Sequence, residues 1–107
     1  MPPDKVSLKK AAKLDLDAIG GSTADWLLGE LVGLRGSDED QFPPVFGKPE
    51  VNPLRRLEIG DYVAIFSVTY EEDDQKVFWV ERIHLRSDFR ARFDEQMEHA
   101  EAWKEPG

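Results

Sequence analysis

Three basic residues in the last third of the sequence are the side chains best suited to do chemistry. Arg82, His84 and Arg86 occupy alternate positions at the end of a stretch rich in Val, Phe, Trp and Ile, a composition typical of a β-strand. Side chains alternate between the two faces of a strand, so all three would project from one face if the strand extends to residue 86. Such a cluster before a helix N-terminus suits an anion, and the imidazole could transfer a proton near neutral pH.

Further basic residues precede the predicted strands and could extend this anion site. They are Lys48, Arg55 and Arg56. The alternative interpretation is structural: Arg82 and Arg86 would be exposed residues that pair with acidic neighbours, and the three earlier residues would form a solvated rim. His84 and His99 lack the ligand spacing of a metal site, so we expect neither a metal nor a cofactor.

The length and composition exclude several classes of protein. The chain has 107 residues and fits one domain spanning 1–107, with a net charge of −8 and no cysteine. Without cysteine there is no disulfide framework and no thiol nucleophile. The longest apolar run covers residues 63–66, against the roughly 20 residues that a membrane helix needs, so we expect no membrane segment. The absence of cysteine suits a reducing cytosol, so we expect a cytoplasmic protein. The negative charge argues against non-specific coating of nucleic acid, so any RNA contact needs a local basic patch.

The elements that must position these residues begin with two helices. Apolar residues at helical spacing predict a first helix over 7–19, with Ser7 as its N-cap. A Gly-Gly pair ends this helix, and a second apolar stripe predicts another helix that begins near Ser22 and ends at Gly36. The short link favours an antiparallel helical hairpin. An alternative is a short strand over Lys5–Leu8 in place of the start of the first helix.

The second half of the chain changes to the two-residue period of strands. After a proline-rich loop over 37–53, alternating apolar residues predict strands over 54–59, 62–70 and 76–85, joined by short turns into an antiparallel meander. A last helix is predicted from Ser87. The sequence therefore predicts an α+β fold, in which an N-terminal helical hairpin packs on a small antiparallel β-meander and a C-terminal helix follows.

The order of elements and three short motifs resemble the RelE/ParE superfamily, the toxins of type II toxin–antitoxin pairs, over most of the chain. The motifs are Gly47-Lys48-Pro49, Leu57-Glu58-Ile59-Gly60-Asp61-Tyr62 and His84-Leu85-Arg86-Ser87-Asp88-Phe89. They are similar to the family's Gly-Lys-Pro-Leu, Leu-Arg-x-Gly-Asp-Tyr-Arg and His-Arg-x-x-x-Tyr. The Gly-Asp-Tyr segment is the most specific of them.

This resemblance implies a microbial RNase-like fold and a toxin that inhibits translation by cleaving messenger RNA on the ribosome, without metal or cofactor. It also implies a cognate antitoxin that binds and neutralises the chain. Basic and aromatic residues would activate the ribose hydroxyl, stabilise the transition state and stack the base. The resemblance assigns catalysis to His84, Arg82 and Arg86. It assigns RNA-phosphate binding to Lys48, Arg55 and Arg56, and base stacking to Phe89.

Three positions depart from the family's motifs. Val63 follows the tyrosine where the family has arginine, Leu85 follows the histidine, and Phe89 replaces the closing tyrosine. Phenylalanine can stack on a base but cannot transfer a proton, and the loss of one cation slows such a reaction by orders of magnitude. One alternative is therefore a ParE-like inhibitor of DNA gyrase without nuclease activity, or a degenerate toxin that acts only as a protein-binding module. Another is a small α+β protein of unrelated role.

Overall fold

The computed structural model describes residues 3–45, 53–89 and 91 of the chain. Within them, one strand is followed by two helices and three further strands. These elements are β1 (Lys5–Leu8), α1 (Lys10–Ile19), α2 (Gly21–Val32), β2 (Arg55–Ile59), β3 (Tyr62–Tyr70) and β4 (Lys76–Leu85). Two single-turn 3-10 helices, Glu39–Gln41 and Glu72–Asp74, lie in the connections. The predicted α+β fold is confirmed.

The first strand corrects the predicted start of the first helix. Residues of β1 pair in parallel with β4, and Ser7 lies opposite Trp79 rather than capping a helix. The first helix begins at Lys10, so the predicted start at residue 7 is wrong and the alternative strand is confirmed. Val6 and Leu8 pack against the core, which is the two-residue period of a strand. Because β1 is parallel to its neighbour, the four-stranded sheet is mixed, with the order β1-β4-β3-β2.

A pair of glycines separates the two helices, as predicted. Gly20 and Gly21 both have positive φ, 68° and 60°, a conformation that glycine adopts without steric cost. The second helix ends at Val32, one turn before the predicted end at Gly36. It ends there because the following N–H groups, including that of Leu34, bond to carbonyls three residues back.

The main hydrophobic core lies between the helices and one face of the sheet, centred on two aromatic residues. Phe66 of β3 and Phe78 of β4 are fully buried, and their ring centroids are 5.8 Å apart. The helices contribute Ala12, Leu16, Leu27 and Leu31 to this core. Phe42, from the predicted loop over 37–53, packs edge-on against Phe66 with centroids 5.2 Å apart. This part of the loop therefore belongs to the core.

A β-bulge in β4 decides which of its residues face the helices. Val80 and Arg82 pair with consecutive residues of β3, which leaves Glu81 as an extra residue without its own partner on that strand. The extra residue shifts the alternation, so that Val80 and Ile83 both pack in the main core. Arg82 and His84 therefore share the opposite face of the sheet, as strand alternation predicts.

A helix begins directly after β4, at the end of the described chain. Residues 86–89 are helical, in agreement with the helix predicted from Ser87. Of the rest of that predicted helix, the structure describes residue 91 alone, which is helical. The other positions lie outside the described residues. None of the described helices is long and apolar enough to cross a membrane.

The turn between β2 and β3 places a glycine against a tryptophan of α2. Gly60 has a φ of +57°, and a Cβ at this position would lie 2.9 Å from Cη2 of Trp26. We expect Gly60→Ala to lower the free energy of unfolding by about 1–2 kcal/mol, because it adds backbone strain and a close contact. Gly29→Ala is the control, since its Cβ would meet open space and alanine favours the helix by up to about 1 kcal/mol. Urea unfolding measures both, and equal effects would contradict this interpretation.

Candidate functional site

The candidate site lies on the face of the sheet that is turned away from α1 and α2. We call this face of the sheet the distal face. Arg56 of β2 lies opposite Ile65 of β3, which in turn lies opposite Arg82 of β4. Val63, two residues before Ile65 on β3, lies opposite His84. Three neighbouring strands thus bring two arginines and the histidine to the same region of one face.

An apolar cluster, which we call the distal cluster, covers one end of this face. Val45, Val63 and Phe89 form its buried centre, and Leu54 and Ile65 pack around them. Val63 is 0% exposed at the position where the resemblance to the RelE/ParE toxins predicts an arginine. Phe89 is 8% exposed, so stacking on a base would require its ring to leave the cluster.

A carboxylate of α1 engages the guanidinium of Arg82. The Nε of Arg82 lies 2.8 Å from Oδ2 of Asp15, and its Nη2 lies 3.2 Å from Oδ1, so the pair is bidentate. Hydrogen bonds between opposite charges in this geometry are roughly twice as strong as neutral ones. The side chain of Arg82 is 45% exposed, but a phosphate would have to compete with Asp15 for the same donors.

Asp15 also completes the edge of the sheet. The pairing of β1 ends where Leu8 lies opposite Val80, so within the described chain the rest of β4 has no neighbouring strand on that side. The Ile83 N–H donates to Oδ2 of Asp15 at 2.8 Å. A buried N–H without a partner is costly, so this carboxylate caps the edge in addition to holding Arg82.

The surroundings of Asp15 lower its pKa below the ordinary value of 3.8. Burial raises the pKa, but hydrogen bonds from Arg82 and the Ile83 N–H, together with the charges of Arg82 and His84, outweigh that effect. The hydrogen bond to Asp15 in turn raises the pKa of Arg82. Because the folded state lowers the pKa of Asp15, its stabilising contribution is present at neutral pH and is lost as the pH falls below about 4.

The motifs of the sequence do not point to Asp15. It lies 67 residues before Arg82 along the chain, on an element that carries none of the family's motifs. The available signal is its position beside the buried stripe of α1, directly before Leu16 and three residues after Ala12. An acidic residue there faces the border of the sheet, where its charge needs a partner.

The end of β4 separates the other two predicted catalytic residues. His84 is half-buried on the distal face, opposite Val63. The strand ends at Leu85, and Arg86 begins the next helix, with its N–H donating to the Asp61 carbonyl at 2.7 Å. Nη2 of Arg86 lies 3.8 Å from Oδ1 of Asp61, and both side chains are exposed. The alternation that places Arg82 and His84 on one face therefore does not extend to Arg86.

The three predicted phosphate-binding residues have different positions. Arg55 is directed to the preceding loop, where its Nη1 donates to the Phe42 carbonyl at 2.8 Å and its Nη2 lies 3.5 Å from Asp40. Its side chain is only 14% exposed, so Arg55 fixes the loop in this arrangement. Arg56 occupies a register position on the distal face. Lys48 lies outside the described residues.

An open groove between α2 and β2 is a second surface of interest. It is lined by Trp26, Glu30, Leu34, Phe42, Leu57 and Glu58. Trp26 is 47% exposed, so a large aromatic surface lies beside two carboxylates. Among the described residues, no group of three His, Cys, Asp or Glu side chains could hold a metal ion.

Comparison with known proteins shows that a solved structure shares this architecture. No protein-family profile and no curated protein sequence matches the chain. A chain in the crystal structure of the toxin–antitoxin complex RelBE2 from Mycobacterium tuberculosis aligns with a TM-score of 0.63 and 17% identity, over 82% of this chain and 97% of that one. The solution structure of the conserved hypothetical protein HP0894 from Helicobacter pylori aligns with a TM-score of 0.45 and 24% identity, over 78% of this chain and 94% of that one. The chain has a RelE-like fold.

Proposed function

We propose that this chain is the toxin-type member of a toxin–antitoxin pair and that it inhibits its target by binding rather than by cutting RNA. The fold supports the first part, because it is shared along nearly the whole of a chain in the RelBE2 toxin–antitoxin complex. The second part rests on one observation. Val63 is buried in the distal cluster at the position where a nuclease of this kind would present an arginine to the RNA.

Cleavage of RNA needs hydrogen-bond donors and cations that are preorganised where negative charge develops on the phosphate. The distal face offers few of them in a free state, since Val63 supplies none and Arg82 is paired with Asp15. Removing one such donor typically slows a reaction by about 10²–10³-fold. We therefore expect no RNA cleavage above background.

The groove between α2 and β2 supports the proposal of an antitoxin partner. Amphipathic helices bind such grooves by inserting apolar residues at helical spacing, and aromatic side chains commonly anchor these contacts. Trp26 would be the anchor, while Glu30 and Glu58 would favour basic residues on the antitoxin. Inhibition by binding also suits a protein target such as DNA gyrase, the target of the ParE-like branch.

A second candidate function is a metal-independent endoribonuclease acting on messenger RNA. One observation favours it, namely that Arg56, Arg82 and His84 share the distal face. His84 would then transfer the proton, and the predicted arginines and lysine would contact the phosphate. This function requires Arg82 to leave Asp15 when RNA binds.

Controlled expression in bacteria tests the toxin role. We expect the chain to arrest growth, and we expect co-expression of a cognate antitoxin to relieve the arrest. His84→Ala should arrest growth equally, because the proposed inhibition does not use the imidazole. Normal growth in cells that accumulate the folded protein would contradict the proposal. The RNA of the arrested cells distinguishes the two candidate mechanisms.

A further inference from the structure

We propose that Asp15 is a specificity-determining residue, which prevents the distal face from binding RNA by holding Arg82 in an ion pair. The inference rests on the proposed function only in taking RNA as the ligand that this face would otherwise bind. The inference is separate from the valine at position 63, because it concerns Arg82, a cation that is present but is held by Asp15.

The Asp15 side of the ion pair is fixed, because α1 packs on the main core. The neighbours of Asp15 on α1, Ala12 and Leu16, are buried in the main core, so the carboxylate belongs to a fixed element. It makes three short contacts: two from the guanidinium of Arg82, at 2.8 and 3.2 Å, and one from the Ile83 N–H at 2.8 Å. Both oxygens are therefore used, and Arg82 is directed to the helix by a partner that has little freedom to move.

The charge of Asp15 acts on more than one cation. Arg82 donates to the carboxylate directly, and the charge of His84 also interacts with it. A single carboxylate on the far side of the sheet edge thus offsets the positive charge at the end of β4. Single-stranded RNA needs local positive charge to bind, because the chain as a whole carries a net charge of −8.

Asp15→Asn tests the inference with little disturbance of the fold. The amide oxygen can still accept the Ile83 N–H, while the charge that holds Arg82 is removed. Asp17→Asn is the matched control, because it makes the same charge change at an exposed position of the same helix. The assay is fluorescence anisotropy of a labelled polyuridine RNA at several KCl concentrations, with circular dichroism to confirm that each variant is folded.

We expect Asp15→Asn to bind the RNA at least about threefold more tightly than the wild type and Asp17→Asn. The slope of log affinity against log salt should steepen by about 0.7, the value for one added phosphate contact on a single strand. The double variant Asp15→Asn/Arg82→Ala should lose the whole gain. Arg82→Ala alone should bind RNA no more tightly than the wild type, because it removes the guanidinium and leaves the charge of Asp15 without its partner.

Two results would overturn the inference: equal RNA binding by the two asparagine variants, or a gain in RNA binding that survives in the double variant. The proposed function fails independently of these results. A gain in RNA binding by Asp15→Asn, with no growth arrest from the wild-type chain, would retain the role of Asp15 and remove the toxin role. Growth arrest by the wild-type chain, without a gain in RNA binding by Asp15→Asn, would retain the toxin role and remove the role of Asp15.

Discussion

Phe66→Ala should lower the free energy of unfolding by about 3–5 kcal/mol, the range for removing a buried aromatic ring. Phe66 is 0% exposed at the centre of β3. Its ring meets Phe42 of the loop at 5.2 Å and Phe78 of β4 at 5.8 Å. The alanine variant would leave a cavity where the loop, the sheet and the helices meet, and these elements cannot collapse into it together. Urea unfolding followed by tryptophan fluorescence measures the loss.

The matched control for Phe66 is Tyr70→Ala, at the end of the same strand. Tyr70 is 59% exposed, although its hydroxyl donates to Oε1 of Glu39 at 2.6 Å. We expect this substitution to cost about 1 kcal/mol or less, as is typical of surface positions. Equal losses from the two variants would show that Phe66 is not at the centre of the core.

Val63→Arg should lower the free energy of unfolding by about 3 kcal/mol or more, although the family's pattern places an arginine at this position. Val63 is fully buried between Val45 and Phe89. A guanidinium there would lose its water without gaining a partner in the distal cluster, or would force the cluster apart. We therefore expect a strong loss of stability and no gain of RNA cleavage.

Thr69→Arg is the control for this charge insertion, because residue 69 lies on the same strand and the same face but is exposed. It should change stability by less than about 1 kcal/mol. If Val63→Arg were as stable as the wild type and cut RNA, the distal cluster would be a nuclease site that lacks one residue. The interpretation of the distal cluster as a packed apolar cluster that cannot hold an arginine would then be wrong.

The meander could be predicted from the sequence because its signals are local. Alternating apolar residues give β3 and β4 with the bounds that the structure has, and the glycine at residue 60 gives the turn before β3. The predicted start of β2 differs by one residue. In each case the period of two and the turn residue favour the same element, so no competing structure has to be considered.

The first strand could not be predicted with the same certainty, because its apolar residues fit two periods. Leu8 lies four residues before Ala12, as on a helix, and two residues after Val6, as on a strand. Pairing with β4 stabilises the strand rather than the helix, and β4 lies some 70 residues further along the chain. The bulge at Glu81 also depends on strand register, which no local pattern of the sequence reveals.

The candidate site shows the same division between local and distant information. Alternation correctly places Arg82 and His84 on one face, because both lie within a single strand. It does not reveal that Asp15 holds Arg82, or that Phe89 is buried against Val45. Both contacts join segments that are distant in sequence, and each changes what a basic or aromatic residue is free to bind.

The most direct test of inhibition by binding is to map RNA 5′ ends in cells arrested by the wild-type chain and by His84→Ala. We expect growth to stop in both while messenger RNA remains intact, with no new 5′ ends within coding regions. The opposite result would be new 5′ ends in the wild-type cells that disappear in the His84→Ala cells. That outcome would show that the distal face cuts RNA with His84, and it would contradict the central claim.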